Sequence, residues 1–273
     1  NWEMEWIGFL PGKRESRRYV GKYVVDQNDV EAEGRFDDIV AYAGWSMDDH
    51  FPEGFYYTKG HPTIYHPAPQ PWGLPLRCMI SENIENLVFA GRNISMTHMA
   101  MSSIRIMATC MLLGEAVGKA ASIATENGIT PHDVYLKYIG TLQELLLNSD
   151  CFLPSKTRYI SQSCKCAALS ANMEALRNGQ DRAHSIYGTD KEKSVYPACA
   201  NEEIAYSFRG QEVSYVHIVF DSDLNRDTLP GLWCERERCT HSNVRLDSPL
   251  MHMPKTLCRE FVLYGELEGK RYY

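Results

Sequence analysis

Three arginines near the start of the chain, Arg14, Arg17 and Arg18, form its densest group of positive charge. A guanidinium presents a rigid fork of N–H donors that suits a carboxylate or a phosphate. The pattern therefore predicts an anion-binding site. The alternative is an ion-paired network with Glu15, Asp37 and Asp38.

His98 lies where a predicted helix begins, and an imidazole there suits general acid or base catalysis. The alternative is a purely structural histidine. His50, which follows Asp48-Asp49, is a weaker candidate, as are His61 and His66 in a proline-rich loop.

A strand, a glycine turn and a helix must position these groups. Residues 86–90 form a short apolar run, Gly91 interrupts it, and apolar residues then recur at helical spacing from about His98 to Glu126. Where a parallel strand passes into a helix, unpaired N–H groups face the crevice outside the sheet. We expect residues 91–103 to form such a junction, and Gly114 and Gly118 to allow close approach of a neighbouring backbone.

The same region carries a family resemblance. The run Asn86-Leu87-Val88-Phe89-Ala90-Gly91-Arg92-Asn93-Ile94-Ser95, with Thr97-His98, Ala100, Ser103, Arg105, Met107 and the run Gly114 to Ala121 after it, resembles the second flavin-contacting segment of a bacterial FAD-dependent oxidoreductase family. Upstream, Arg14-Glu15-Ser16-Arg17-Arg18 with Gly21-Lys22-Tyr23 resembles the family's basic segment. The turn Leu74-Pro75-Leu76-Arg77 resembles its Ile-Pro-Tyr-Arg turn, with Leu76 in place of tyrosine.

The resemblance implies hydride transfer from a small substrate to FAD, with the substrate itself not readable from the sequence. It assigns His98, Arg14 and Arg17 to substrate, with Arg14 or Arg17 facing the active-site cleft. It assigns the flavin to Ala90, Gly91, Arg92, Asn93, Ser95, Ser103 and Arg105.

The phosphate-binding turn Gly-x-Gly-x-x-Gly of a dinucleotide fold occurs nowhere in the 273 residues. The family places this turn ahead of the segments matched here. We therefore expect the chain to be the C-terminal part of a longer enzyme, with weak or absent FAD binding on its own.

The fold class expected is α/β plus all-β. Residues 1–150 are predicted to form a partial Rossmann-like domain, with strands at 19–25 and 39–43 and a second helix at 131–147. Residues 151–273 are predicted to form an incomplete accessory β-sandwich with strands at 200–208, 213–220, 260–267 and 270–273.

The amino-acid composition disfavours some classes of binding partner. A net charge of −7 without a basic stripe disfavours nucleic acid, and no apolar run is long enough to predict a membrane span. Nine cysteines without a disulfide-scaffold spacing predict mostly reduced thiols and a cytoplasmic protein, and the Cys164/Cys166 and Cys234/Cys239 pairs are interpreted as unligated thiols. Oligomeric state stays open.

A competing hypothesis is a non-enzymatic module that binds carbohydrate or a protein partner. Its aromatic platform would come from Tyr206, Tyr215, Trp233 and Tyr264. Packing of these rings in a core is the alternative explanation.

Overall fold

The computed structural model describes residues 3–10, 17–69, 71–171, 174–182, 194–220 and 257–273. Predictions that fall on Arg14, Trp233, Cys234 and Cys239 lie outside these residues. The chain divides into two compact units, Asn1–Arg209 and Gly210–Tyr273. Residues 151–209 therefore belong to the first unit.

Two antiparallel pairs of strands supply the β-structure near the predicted site. Strand β1 (Ile39–Ala43) pairs with β4 (Trp72–Pro75), and β2 (Met47–His50) pairs with β3 (Thr63–His66). The predicted strand at 39–43 is confirmed. Because β4 is buried along its whole length, the β1–β4 pair lies in the core, whereas β3 is mostly exposed.

Five helices are described: α1 (Gln27–Glu31), α2 (His98–Ile104), α3 (Met107–Asn127), α4 (Pro131–Leu147) and α5 (Gln162–Cys166). The predicted helix 131–147 is confirmed, and Thr130 and Asp133 form its capping box. Helices α3 and α4 pack on each other and on β1, burying Leu113, Val134 and Leu142.

The single long helix predicted from His98 to Glu126 is wrong, because two helices occupy this region. Helix α2 ends at Ile104, and Ile106 is extended before α3 begins. Two serine side chains near the end of α2 donate hydrogen bonds to backbone carbonyls: Ser102 Oγ donates to Met99 O, and Ser103 Oγ donates to Trp45 O. Such bonds compete with continuation of a helix.

The expected close approach at Gly114 and Gly118 is also wrong. A Cβ added at either glycine meets no atom within 4 Å. The two glycines share an open face of α3 with Met107 and Met111, which are 82% and 74% exposed. By length and composition α3 is the one helix of the described residues that could cross a membrane, but a core helix passes the same test, and a third of the tested window is buried.

Residues 19–25, predicted as a strand, carry only isolated bridges. Gly21 bridges Ser81, whereas Val25 bridges Met96. The segment is not a regular strand because it changes neighbour along its length. The parallel strand predicted at 86–90 is likewise reduced to one antiparallel bridge, between Val88 and Ile80.

The remaining β-structure is sparse. In the first unit β5 (Ala168–Leu169) pairs with β6 (Tyr206–Ser207), and in the second β7 (Gly265–Leu267) pairs with β8 (Lys270–Tyr272). Residues 213–220 are exposed and form no strand, contrary to their alternating pattern. An alternating pattern does not by itself form a strand, and among the described residues this segment has no strand to pair with.

Candidate functional site

The structure places residues 19–25, which follow the arginine cluster, beside the glycine turn. Tyr19 N donates to Asn93 O at 2.8 Å, and Val25 N donates to Ser95 O at 3.1 Å. Thr97 N in turn donates to Val25 O at 2.8 Å. Two motifs about 70 residues apart in sequence therefore run side by side and lead into α2.

Gly91 gives the turn its shape. Its φ of +98° is one that L side chains rarely adopt, and a Cβ added there would meet only Asn93 Oδ1, at 3.6 Å. Ala90, Gly91 and Asn93 are half-buried, and Arg92 is exposed. These four residues form an accessible surface that a planar ring can approach.

The two predicted serines lie deeper. Ser95 is 1% exposed, packs against Gly21, and its hydroxyl has no hydrogen-bond partner. The Ser103 hydroxyl donates to Trp45 O at 2.5 Å and accepts from the Trp72 indole N–H at 3.2 Å. Ser103 thus connects α2 to Trp45, just after β1, and to Trp72 on β4.

His98 is the first residue of α2 and is about half exposed. The Thr97 side chain caps the helix by accepting from Ala100 N. His98 Nε2 lies 3.8 Å from Asp49 Oδ1 on β2. The imidazole of His98 therefore faces a carboxylate of the neighbouring strand.

Arg105 lies at the other end of α2 and contacts His50 rather than the glycine turn. Arg105 Nη2 is 2.6 Å from His50 Nε2, and His50 Nδ1 is 2.8 Å from Thr63 Oγ1. A guanidinium only donates, so Nε2 must accept and the proton of a neutral His50 lies on Nδ1. The bond joins the β2–β3 hairpin to the end of α2.

Asp48, on the same hairpin, orients an exposed indole. Its carboxylate accepts from Trp45 Nε1 at 2.8 Å and from Ser46 Oγ at 2.6 Å. Trp45 and Asp49 were not predicted from the sequence. Trp45 lies just after a strand and Asp49 just before His50, but neither position carries a motif that distinguishes it.

Asp38 pairs with Arg77, not with Arg17 or Arg18, the two arginines of the basic segment that the structure describes. It is fully buried and accepts from Arg77 three times, from the backbone N–H at 3.1 Å and from Nε and Nη2 at 3.0 Å each. The hydrogen bonds to Asp38 raise the pKa of Arg77. The Arg77 guanidinium also lies over the rings of Tyr23 and Tyr135, with its Cζ 5.2 and 5.0 Å from their centroids.

Tyr23 is held in the same region. Its hydroxyl donates to Asp29 Oδ1 at 2.9 Å, and burial together with this bond raises its pKa to about 12. Tyr23 is therefore a neutral donor at physiological pH. Its ring also packs edge-on against Phe36.

The described aromatic residues of the competing binding-module hypothesis are Tyr206 in the first unit and Tyr215 and Tyr264 in the second. The Tyr206 hydroxyl donates to Leu176 O and its ring stacks on Phe208. Tyr264 lies under the Arg271 guanidinium, whereas Tyr215 is 83% exposed.

Metal ligation finds no support in the part of the chain that the structure describes. No group of three or more His, Cys, Asp or Glu side chains there is arranged to hold an ion. The described cysteines, Cys164 and Cys166 among them, are all free thiols.

A family model described as FAD dependent oxidoreductase matches residues 1–146. The chain belongs to this family. The match covers the basic segment, the glycine turn and α2, and it ends one residue before α4 does. Searches of curated proteins and of solved structures gave no match.

The residues present fit part of the family's cofactor. The open face at Gly91 suits the edge of a planar ring, and the unpartnered Ser95 hydroxyl lies directly behind the same turn. Helix α2, at seven residues, is too short for its dipole to add much. The fit therefore concerns the isoalloxazine end of FAD, and the sequence offers no glycine-rich turn for the pyrophosphate.

Proposed function

We propose that this chain forms the ring-side and substrate-side part of a flavoenzyme that oxidises a small molecule by hydride transfer to the flavin. One observation carries the proposal. Residues 19–25, directly after the arginine cluster, are hydrogen-bonded alongside the glycine turn within the region that matches the family.

In this proposal Ala90, Gly91, Arg92 and Asn93 hold the flavin ring, and FAD supplies the hydride acceptor when bound. Arg17, and Arg14 outside the described residues, orient the substrate. His98 exchanges a proton with the substrate through Nε2, which lies 3.8 Å from Asp49 Oδ1. Asp49 acts here as a positioning residue.

Ser103 and Arg105 support the site from the other side of α2. Ser103 fixes the helix against Trp45 and Trp72, and Arg105 fixes it to the hairpin through His50. Their influence on a flavin would then be indirect, through the position of His98.

We further propose that the phosphates of FAD depend on residues other than those of this chain. The expected consequence is that the chain binds FAD no more tightly than riboflavin, because the ADP half makes no contact of its own. A full-length enzyme with the phosphate turn would prefer FAD strongly.

Titration of the chain into riboflavin and into FAD, followed by flavin fluorescence, tests the proposal. Gly91→Ala should weaken riboflavin binding, since its Cβ projects into the space proposed for the ring. Gly128→Ala is the matched control, because Gly128 also has a positive φ, of +62°, and open space around it but ends α3. Unchanged fluorescence of both flavins, or equal effects of the two variants, would refute the assignment of the turn.

We propose that the second unit, Gly210–Tyr273, is the accessory β-rich region expected for this family. The β7–β8 hairpin supports this. Limited proteolysis that releases this unit while riboflavin binding persists would agree with an accessory role, and loss of flavin binding on its release would contradict it.

A further inference from the structure

Two guanidinium groups beside the glycine turn have no acidic partner among the described residues. Arg17 and Arg18 are both exposed. Arg18 Nη1 makes one contact, with the buried Met101 sulfur at 3.8 Å, and no carboxylate pairs with either side chain in the described ranges. Two adjacent unpaired guanidiniums favour binding of an anion.

Two of the carboxylates near these arginines in sequence are engaged by other groups. Asp38 is satisfied by Arg77, and Asp29 accepts from the Tyr23 hydroxyl and from Asp26 N. Among the described residues no ion pair joins Asp37 or Asp38 to Arg17 or Arg18, and Glu15 lies outside those residues.

The position of Arg18 connects this cation to the proposed reaction centre. Tyr19, the next residue, is bonded to Asn93 of the glycine turn. Met101, which the guanidinium contacts, lies three residues after His98 on α2, and residues three apart are neighbours on a helix surface. Arg18 therefore contacts the turn of α2 that begins with His98, and it directly precedes the residue bonded to the turn proposed for the flavin ring.

We propose that Arg18, assisted by Arg17, binds the carboxylate of the substrate, so that the enzyme acts on a small carboxylic acid. The inference rests on the proposed function, which places the flavin ring at Ala90 to Asn93. The shared chemistry is oxyanion binding, and the pyrophosphate of FAD is the competing source. A carboxylate is favoured because a five-carbon ribityl chain separates the flavin ring from the phosphates, whereas Arg18 borders the ring position itself.

Isothermal titration of the chain with succinate, lactate and inorganic pyrophosphate, with and without riboflavin, tests the proposal. Succinate or lactate should bind more tightly than pyrophosphate, and Arg18→Met should weaken carboxylate binding by about ten- to a hundredfold, as expected for loss of one charge-assisted pair. Arg18→Lys should restore part of the affinity, because it keeps the charge but loses the bidentate geometry.

Arg259→Met is the charge-matched control, since Arg259 is exposed in the other compact unit. Methionine at position 18 keeps an apolar stem for Met101, and circular dichroism checks that each variant folds. Carboxylate binding that is absent, or equal in Arg18→Met and wild type, while riboflavin still binds, overturns the proposal alone. Preference for pyrophosphate overturns the assignment to substrate. Carboxylate binding without riboflavin binding instead refutes the proposed flavin site.

Discussion

The buried pair of Asp38 and Arg77 gives the sharpest test of how this fold is held together. Arg77→Met removes two of the three hydrogen bonds that satisfy a fully buried carboxylate and leaves only the backbone N–H. An uncompensated buried charge of this kind destabilises a protein by about 3 to 5 kcal/mol. Loss of the contacts with the Tyr23 and Tyr135 rings adds to this.

Urea unfolding followed by circular dichroism measures the loss of unfolding free energy. In thermal unfolding the melting temperature of the variant should be lower by roughly 6 to 20 °C. Hydrogen bonding to Asp38 raises the pKa of Arg77, so its stabilising contribution is fully present below the unfolded-state pKa and is lost only as the pH rises through the higher folded-state value. The destabilisation by Arg77→Met should therefore be the same at neutral and mildly alkaline pH.

The double variant Asp38→Asn/Arg77→Met separates pairing from packing. It should be more stable than Arg77→Met alone, because no charge remains buried. A loss below about 1 kcal/mol for Arg77→Met, or a double variant as unstable as the sum of the two single ones, would refute the reasoning.

Four further predictions follow from single contacts. Burial and Asp29 raise the pKa of Tyr23 to about 12, so Tyr23 should stabilise the fold fully below pH 10.0 and lose that contribution as the pH rises to about 12. Ultraviolet titration of the wild type and of Tyr23→Phe checks this. Ionisation of Tyr23 at the same pH as the exposed tyrosines would contradict it. Gly34→Ala should abolish folding, because the added Cβ would lie 2.1 Å from Gly73 O. Gly54→Ala, at a similar φ but with open space around it, should fold. Comparable melting temperatures for the two variants would contradict the predicted clash. Nitrogen-15 NMR should find neutral His50 protonated at Nδ1, and a proton on Nε2 would rule out its bond with Arg105. Gly114→Ala and Gly118→Ala should each stabilise the chain by about 0.5 to 1 kcal/mol in urea unfolding, because the added Cβ meets nothing; destabilisation would mean that this face of α3 is covered.

Local signals carried much of the sequence prediction. Thr130-Pro131 with Asp133 marks the start of the helix predicted at 131–147, and the structure forms a capping box there. The strand at 39–43 and the turn at Gly91 were likewise readable, because β-branched residues and a glycine constrain the backbone locally. The family segments were recognised in the region that the family model matches.

Contacts between residues that are distant in the chain could not be predicted from the sequence. The break between α2 and α3 comes just after Ser103, whose hydroxyl donates to Trp45 O and accepts from the Trp72 indole. Likewise nothing local shows that Asp38 pairs with Arg77, 39 residues away, rather than with the basic segment. Hydrophobic periodicity reports which face is apolar but not which polar partner a buried side chain will find.

The buried pair and the candidate site are parts of one structure. Arg77 lies in the short 3-10 turn Leu76–Met79, and two carbonyls at the end of that turn hold the segment that carries Gly91: Met79 O accepts from Phe89 N at 2.9 Å, and Cys78 O accepts from Ser95 N at 3.0 Å. The Asp38 carboxylate fixes this turn through the Arg77 backbone and side chain. Because the segment that carries Gly91 is attached to it at both ends, Arg77→Met should weaken riboflavin binding as well as folding, even in solutions where the variant is still folded.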